Sequence, residues 1–201
     1  MRFVLASASP ARLTTLRAAG VEPEVIVSGV DEDAISAPSG PELVQALASA
    51  KARAVAARLD GDLLLLGCDS MLEIGDQVLG KPESVEEAVA RWQLMRGQTG
   101  VLHTGHTLLS LAGGAVARSV EGVASTEVRF ADLSDDEIAA YVDTGEPLKV
   151  AGAFSIDGLG GWFVESIAGD HHNVVGLSLP LLRGMLAELG HRVTDLPSTI
   201  G

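Results

Sequence analysis

The chain has 201 residues, 47% hydrophobic and 20% charged, so it can bury a substantial core and is too apolar to stay disordered. Its formal net charge of −13 excludes the basic stripe that a nucleic-acid polymer requires, but not a small phosphate-bearing ligand. The single cysteine, Cys68, excludes an intramolecular disulfide, and the apolar run from Met1 to Ser7 is too short for a signal peptide or membrane span. The expectation is one domain over residues 1–201, in a reducing cytoplasm, with no membrane partner. Aromatic residues make up only 3%, which predicts a core of Leu, Val, Ile and Ala.

Phe3-Val4-Leu5-Ala6 reads as a first strand. It runs straight into Ser7-Ala8-Ser9-Pro10-Ala11-Arg12 and a helix ending at Gly20, with Ser9 as N-cap and Pro10 at the first helical position. Free backbone N–H groups, the helix dipole, the Ser7 and Ser9 hydroxyls and the Arg12 fork suit an anion there. The same residues also make an ordinary capped helix with a surface arginine. Val25-Ile26-Val27 predicts a second strand. Asp31-Glu32-Asp33 reads either as metal ligands or as a solvated turn. Ser39-Gly40-Pro41-Glu42 is a capping box opening a helix to Leu59, with Leu43, Ala46, Leu47, Ala50, Ala54 and Ala57 on one face. Lys51 and Arg53 lie mid-helix, where the plain reading is surface charge.

The run Leu63-Leu64-Leu65-Leu66 has no polar face and is too short for a stable helix, so it predicts a strand buried on both sides. The chain is expected to leave the core at Gly67 and to present Asp69 at the strand end, either as base or metal ligand or as the start of a turn. Leu72–Ile74 and Gln77–Leu79 flank Gly75-Asp76, a hairpin signature. In Gly80-Lys81-Pro82 the glycine and proline hold Lys81 in a fixed direction. Ser84-Val85-Glu86-Glu87 caps a helix to Arg96, with Trp92 and Met95 as core.

Val101–Leu111 and Ala115–Ala131 predict two long strands joined at Gly113-Gly114. His103 and His106, three apart, face opposite sides of a strand and do not share a metal. Ser134-Asp135-Asp136-Glu137 caps a helix to Val142, which Gly145-Glu146-Pro147 breaks. The glycine-rich stretch 151–161 either cradles a ligand or turns the chain, and it matches neither a dinucleotide fingerprint nor a Walker A loop. A strand follows over Trp162–Ile167. His171-His172-Asn173 reads as a polar turn, Leu179 to Gly190 as the last helix, and Pro197–Gly201 as a loose tail.

Together, Ser7, Ser9, Arg12, Glu32, Lys51, Asp69 and Lys81 form a set that suits phosphoanhydride hydrolysis, where charge neutralisation and positioning carry the reaction. Here the sequence resembles the Maf family of nucleoside triphosphate pyrophosphatases. The matching pieces are Leu5-Ala6-Ser7-Ala8-Ser9-Pro10 with Arg12, Val30-Asp31-Glu32, Ala50-Lys51-Ala52, Asp69 and Gly80-Lys81-Pro82. Gly145-Glu146-Pro147, Ala151-Gly152-Ala153-Phe154 and Asn173-Val174-Val175-Gly176-Leu177 complete the ordered series.

The resemblance implies an α/β fold of the inosine-triphosphatase-like type, an elongated mixed sheet flanked by helices, with two lobes and a cleft between them. It implies hydrolysis of nucleoside triphosphates to a nucleoside monophosphate and pyrophosphate, with Mg²⁺ or Mn²⁺. Asp69 is then the proton acceptor for water or a metal ligand, and Glu32 shares the metal. Ser7, Ser9 and Arg12 bind phosphate, and Lys51 and Lys81 meet the remaining charge. Members acting on dTTP and UTP carry Arg, Thr and Gln where this chain has Ala11, Ser70 and Asp157, and a second branch acting on 7-methyl-GTP has an acidic residue at the Asp157 position. Asp157, an acceptor only when ionised, would favour a base edge rich in donors. The family also implies a homodimer. The competing reading is a non-catalytic nucleotide-binding regulator of cell division.

Overall fold

The computed structural model describes residues 1–198. The chain divides into two compact units. The first comprises Met1–Asp69, Thr104–Ala124 and the segment from Gly176 onward; the second comprises Ser70–His103 and Ser125–Val175. A seven-stranded mixed sheet has the order β2-β1-β3-β5-β6-β7, with β4 paired to β3. The strands are β1 (Arg2–Ala6), β2 (Glu24–Val25), β3 (Leu63–Ile74), β4 (Gln77–Leu79), β5 (Thr99–Ala112), β6 (Ala115–Phe130) and β7 (Val164–Ala168). The α/β class with a mixed sheet flanked by helices is as expected.

In the first unit, β1 lies parallel to both β2 and β3, with Phe3 opposite Leu64 and Leu5 opposite Leu66. The period of two divides these side chains between two cores. Phe3, Leu5, Leu64 and Leu66 pack with Leu16 of α1 (Pro10–Ala18) and with Leu182, Met185 and Leu186 of α6 (Leu179–Glu188). Val4, Ala6, Leu63 and Leu65 pack with Ala52, Val55 and Ala56 of α2 (Gly40–Ala56). Both faces are covered, which is why four successive leucines make a strand.

Two close approaches seat α2. A Cβ at Gly67 would lie 2.4 Å from the Ala48 carbonyl oxygen, and one at Gly105 would lie 2.2 Å from that of Val44. The helix therefore presents Val44, Leu47, Ala48, Lys51, Ala52, Val55 and Ala56 to the interior. This corrects the expected face of Leu43, Ala46, Leu47, Ala50, Ala54 and Ala57. Alanines lie all round the helix, and the sheet glycines choose which of them are buried.

The second unit has a different core. Trp92 of α3 (Val85–Met95) meets Phe130, Tyr141 and Phe163 edge to face at 5.4–5.8 Å, and Phe130 meets Phe154 likewise. The Trp92 indole N–H donates to the Ala153 carbonyl at 2.8 Å. The few aromatics are thus concentrated here, correcting the expectation of an aliphatic core throughout. Ile138 and Val142 of α4 (Asp135–Asp143) complete it.

Several boundaries also differ. The second strand is Glu24–Val25: the Ile26 N–H makes the last bond to β1, donating to the Leu5 carbonyl at 3.1 Å. Ser39, Ser84 and Ser134 all cap helices, but the reciprocal box closes at Ser134, whereas the Glu87 carboxylate turns to the Glu83 N–H. Trp162 and Phe163 belong to a 3₁₀ turn, Leu159–Phe163, before β7. His171–Val175 is a short helix, α5, started by the Asp170 carboxylate accepting from the His172 N–H. Pro197 and Ser198 are tied down: the Pro197 carbonyl accepts from Glu22 N–H, and Ser198 bridges to Val21. The rest of the expected loose tail lies outside the described residues. No described helix is long and apolar enough to cross a membrane.

Candidate active site

Strand β3 is longer than expected. It runs on through Asp69 to Ile74, so Asp69 is not at a strand end. The parallel ladder, however, stops at Ala6 opposite Gly67. Beyond that pair β1 has turned into the start of α1, and β3 continues without it. Asp69 lies just past this step, beside the Ser7–Ser9 segment leaving the neighbouring strand. It is 6% exposed.

Lys51 meets it there. Its ammonium donates to Asp69 Oδ1 at 2.5 Å and lies 2.7 Å from Glu32 Oε1. Lys51 is itself 8% exposed, which overturns the plain reading of a surface charge. The cause is the small-residue face of α2: Ala48 and Ala52 sit against Gly67, and Lys51, on the same face, is carried down to the strand. Glu32 reaches the ammonium from the exposed 31–33 segment. Burial pushes the Asp69 carboxyl above its usual range. The charges of Lys51 and Arg12 pull it down without reversing that rise, and Glu32 adds to it.

The helix start is organised around Arg12. Ser9 caps α1 by accepting from the Arg12 N–H, and Pro10 takes the first helical position. Ser7 Oγ accepts from the Ser9 N–H and from Arg12 Nη1, both at 3.1 Å. Arg12 Nε donates to the Gly176 carbonyl at 2.7 Å, so the buried guanidinium ties α1 to the chain preceding α6. The role of Gly176 was not read from the sequence, although it falls in one of the motifs that carry the resemblance.

The first unit therefore brings Ser7, Ser9, Arg12, Glu32, Lys51 and Asp69 together where β1 ends and β3 continues. Ser70, Lys81 and Asp157 belong to the second unit. Ser70 is half-buried on β3, directly after Asp69. Lys81 is exposed in the loop between β4 and α3. Asp157 is exposed, with Oδ1 3.2 Å from His171 Nε2. Glu146, read in the sequence only as part of a helix break, organises the loop that carries Asp157. Its carboxylate accepts from the Tyr141 hydroxyl at 2.6 Å and from the Gly160 and Leu159 N–H groups at 2.9 and 3.0 Å.

Among the described residues, no group of three or more His, Cys, Asp or Glu gathers around one point. The oxygen donors of Asp69 and Glu32 nevertheless converge on a single cationic position, that of the Lys51 ammonium. Two carboxylates completed by ligand phosphates suit Mg²⁺, a hard cation that rarely takes a closed all-protein cage.

A sheet that sets a buried carboxylate and a buried lysine beside an arginine-anchored helix start defines an α/β protein built to hold charged oxygen groups. The chain belongs to the Maf-like protein family, whose model matches residues 2–189. It is 58% identical over 200 residues to a nucleoside triphosphate pyrophosphatase of Salinispora tropica, covering 98% of this chain and 87% of that one. It is 57% identical over 196 residues to a protein of the same name from Streptomyces coelicolor, covering 97% and 94%. Among solved structures, the Staphylococcus aureus Ham1 protein matches at a TM-score of 0.40 and 15% identity, over 66% of this chain and 73% of that one, a likeness too distant to bear on the site.

Proposed function

We propose that this protein hydrolyses nucleoside triphosphates between the α- and β-phosphates, releasing a nucleoside monophosphate and pyrophosphate. The observation that carries the reading is the buried Asp69–Lys51 pair, joined from the exposed side by Glu32, beside the Arg12-anchored helix start. The relatives named nucleoside triphosphate pyrophosphatase support it at 57–58% identity. In this reading Asp69 accepts the proton of the attacking water, which requires the ionised carboxylate. The Ser7 and Ser9 hydroxyls donate to phosphate oxygens, which the positive end of the α1 dipole also favours. Arg12, held by Ser7 and Gly176, supplies a fixed positive charge, and Lys51 and Lys81 meet the charge of the leaving pyrophosphate. Glu32 and Asp69 are the residues that would hold Mg²⁺ or Mn²⁺, which when bound neutralises phosphate oxygens. Ser70 and Asp157 are the candidate contacts to the base. Ionised Asp157 accepts hydrogen bonds only, which favours a base edge that donates.

A panel of standard and modified nucleoside triphosphates, assayed for pyrophosphate with Mg²⁺, tests the reaction. Asp69→Asn should lower turnover by about 10²–10⁴-fold, the usual worth of a positioned base. Release of orthophosphate, or nucleotide binding without turnover, would overturn the reading. Asp157→Gln should change the order of preferred bases in the same panel, and an unchanged order removes Asp157 from base selection.

A further inference from the structure

The segment Gly80-Lys81-Pro82-Glu83 is held at both ends by one pair of side chains on α3. Upstream of Lys81, the Gly80 carbonyl accepts from Arg91 Nη1 at 2.5 Å. It also accepts from the Gly152 N–H at 3.0 Å, so both of its lone pairs are engaged. Downstream, the Glu83 N–H donates to Glu87 Oε2 at 2.7 Å. The two side chains are joined to each other, with Arg91 Nη2 donating to Glu87 Oε1 at 2.5 Å. Pro82, buried between them, fixes its own φ. The backbone that carries Lys81 is thus tied before and after it, while the lysine is left exposed.

The Ser84 cap of α3 adds to this restraint, its hydroxyl accepting from the Glu87 N–H at 3.1 Å. Arg91 is largely withdrawn from water to make these bonds, its side chain 12% exposed. A guanidinium presents rigid, fork-like donors, so it can bond a carbonyl and a carboxylate at once, whereas a lysine supplies a point charge. What the arrangement fixes is the direction in which Lys81 leaves the chain.

We propose that Arg91 and Glu87 are positioning residues for Lys81, a clamp that sets the lysine against the phosphate charge of the substrate. The inference rests on the proposed role of Lys81 in turnover. Neither residue of the clamp touches substrate; both act through the lysine. Misplacing a positioned charge by about an ångström can cost on the order of 10²-fold in rate.

The test is a double-mutant cycle, read with the nucleoside triphosphate that the parent enzyme turns over fastest in the panel above, with Mg²⁺. Arg91→Gln should lower kcat/KM by about tenfold or more, mainly in kcat, as lost positioning does. In a Lys81→Gln background the same change should have little further effect, because the lysine it serves is gone. Glu87→Gln, on a half-buried side chain, should follow the same pattern and speed hydrogen exchange at the Glu83 amide. If Arg91→Gln and Glu87→Gln cost the same factor with and without Lys81, the clamp is structural only and the inference fails. If Lys81→Gln alone keeps parental turnover, the role given to Lys81 fails first and takes the clamp with it.

Discussion

Asp69 shows how much of a side chain's chemistry is set by what surrounds it. An aspartate in water is ionised well below neutral pH, but this one is buried, and burial favours its neutral form over the pull of Lys51 and Arg12. A base must be ionised to work. In the proposed role as base, Asp69 is protonated and inactive once pH falls through its raised pKa, so the acid limb of kcat/KM should lie above the ordinary aspartate range. Lys51→Met removes a charge that lowers the Asp69 pKa. In the residual activity of that variant the acid limb should therefore move to higher pH, which a pH–rate profile measures directly. A limb that stays in place would show that the profile reports another group. Cys68, just before it in the chain, is kept in its thiol form by the same burial, its pKa pushed up to about 12.

At the scale of the element, the seating of α2 on the sheet decides whether Lys51 reaches Asp69. Gly67→Ala would place a methyl 2.4 Å from a backbone oxygen of α2, which no side-chain rotation relieves. Overpacking of this kind costs about 1–3 kcal/mol, and because the helix must lift, turnover should fall together with the denaturation midpoint. A stable and fully active Gly67→Ala protein would refute the coupling. The Glu146 loop makes a second case. Burial raises the Glu146 pKa, but the hydrogen bonds from Tyr141 and from the Gly160 and Leu159 N–H groups outweigh it, leaving the carboxyl below its usual value. Its contribution to stability is therefore present above the ordinary glutamate range and is lost as pH falls through the folded value. Glu146→Gln should lower the unfolding free energy from urea titration at neutral pH by about 1–2 kcal/mol, and the difference from the parent should shrink on acidification.

Across the whole molecule, the two units hold different kinds of core, leucine and valine layers in one and an edge-to-face aromatic cluster in the other. Trp92 is fully buried and touches three of those rings. Trp92→Ala should cost about 3–5 kcal/mol. Its effect on amide hydrogen exchange should concentrate in residues 70–103 and 125–175, and an even loss of protection along the chain would show that the two cores do not open separately.

The long strands, the capped helices and both hairpins were legible in the sequence because their signals are local: a leucine run, Ser three residues before Glu, Gly-Asp and Gly-Gly turns. So was the ordered series of short motifs that carries the family. What the sequence left open was every choice that depends on a distant neighbour. Nothing in α2 distinguishes Ala48 from Ala46 or Ala50, and only the bare backbone at Gly67 and Gly105 decides which of them faces in, and with them Lys51. Nothing around Asp69 announces that its strand continues while β1 turns away. Local pattern fixes what each segment becomes, because backbone sterics and periodicity act over a few residues. Which side chains are buried together, and hence which charges meet, is decided by contact distances between segments far apart in the chain, and those exist only once the sheet has formed.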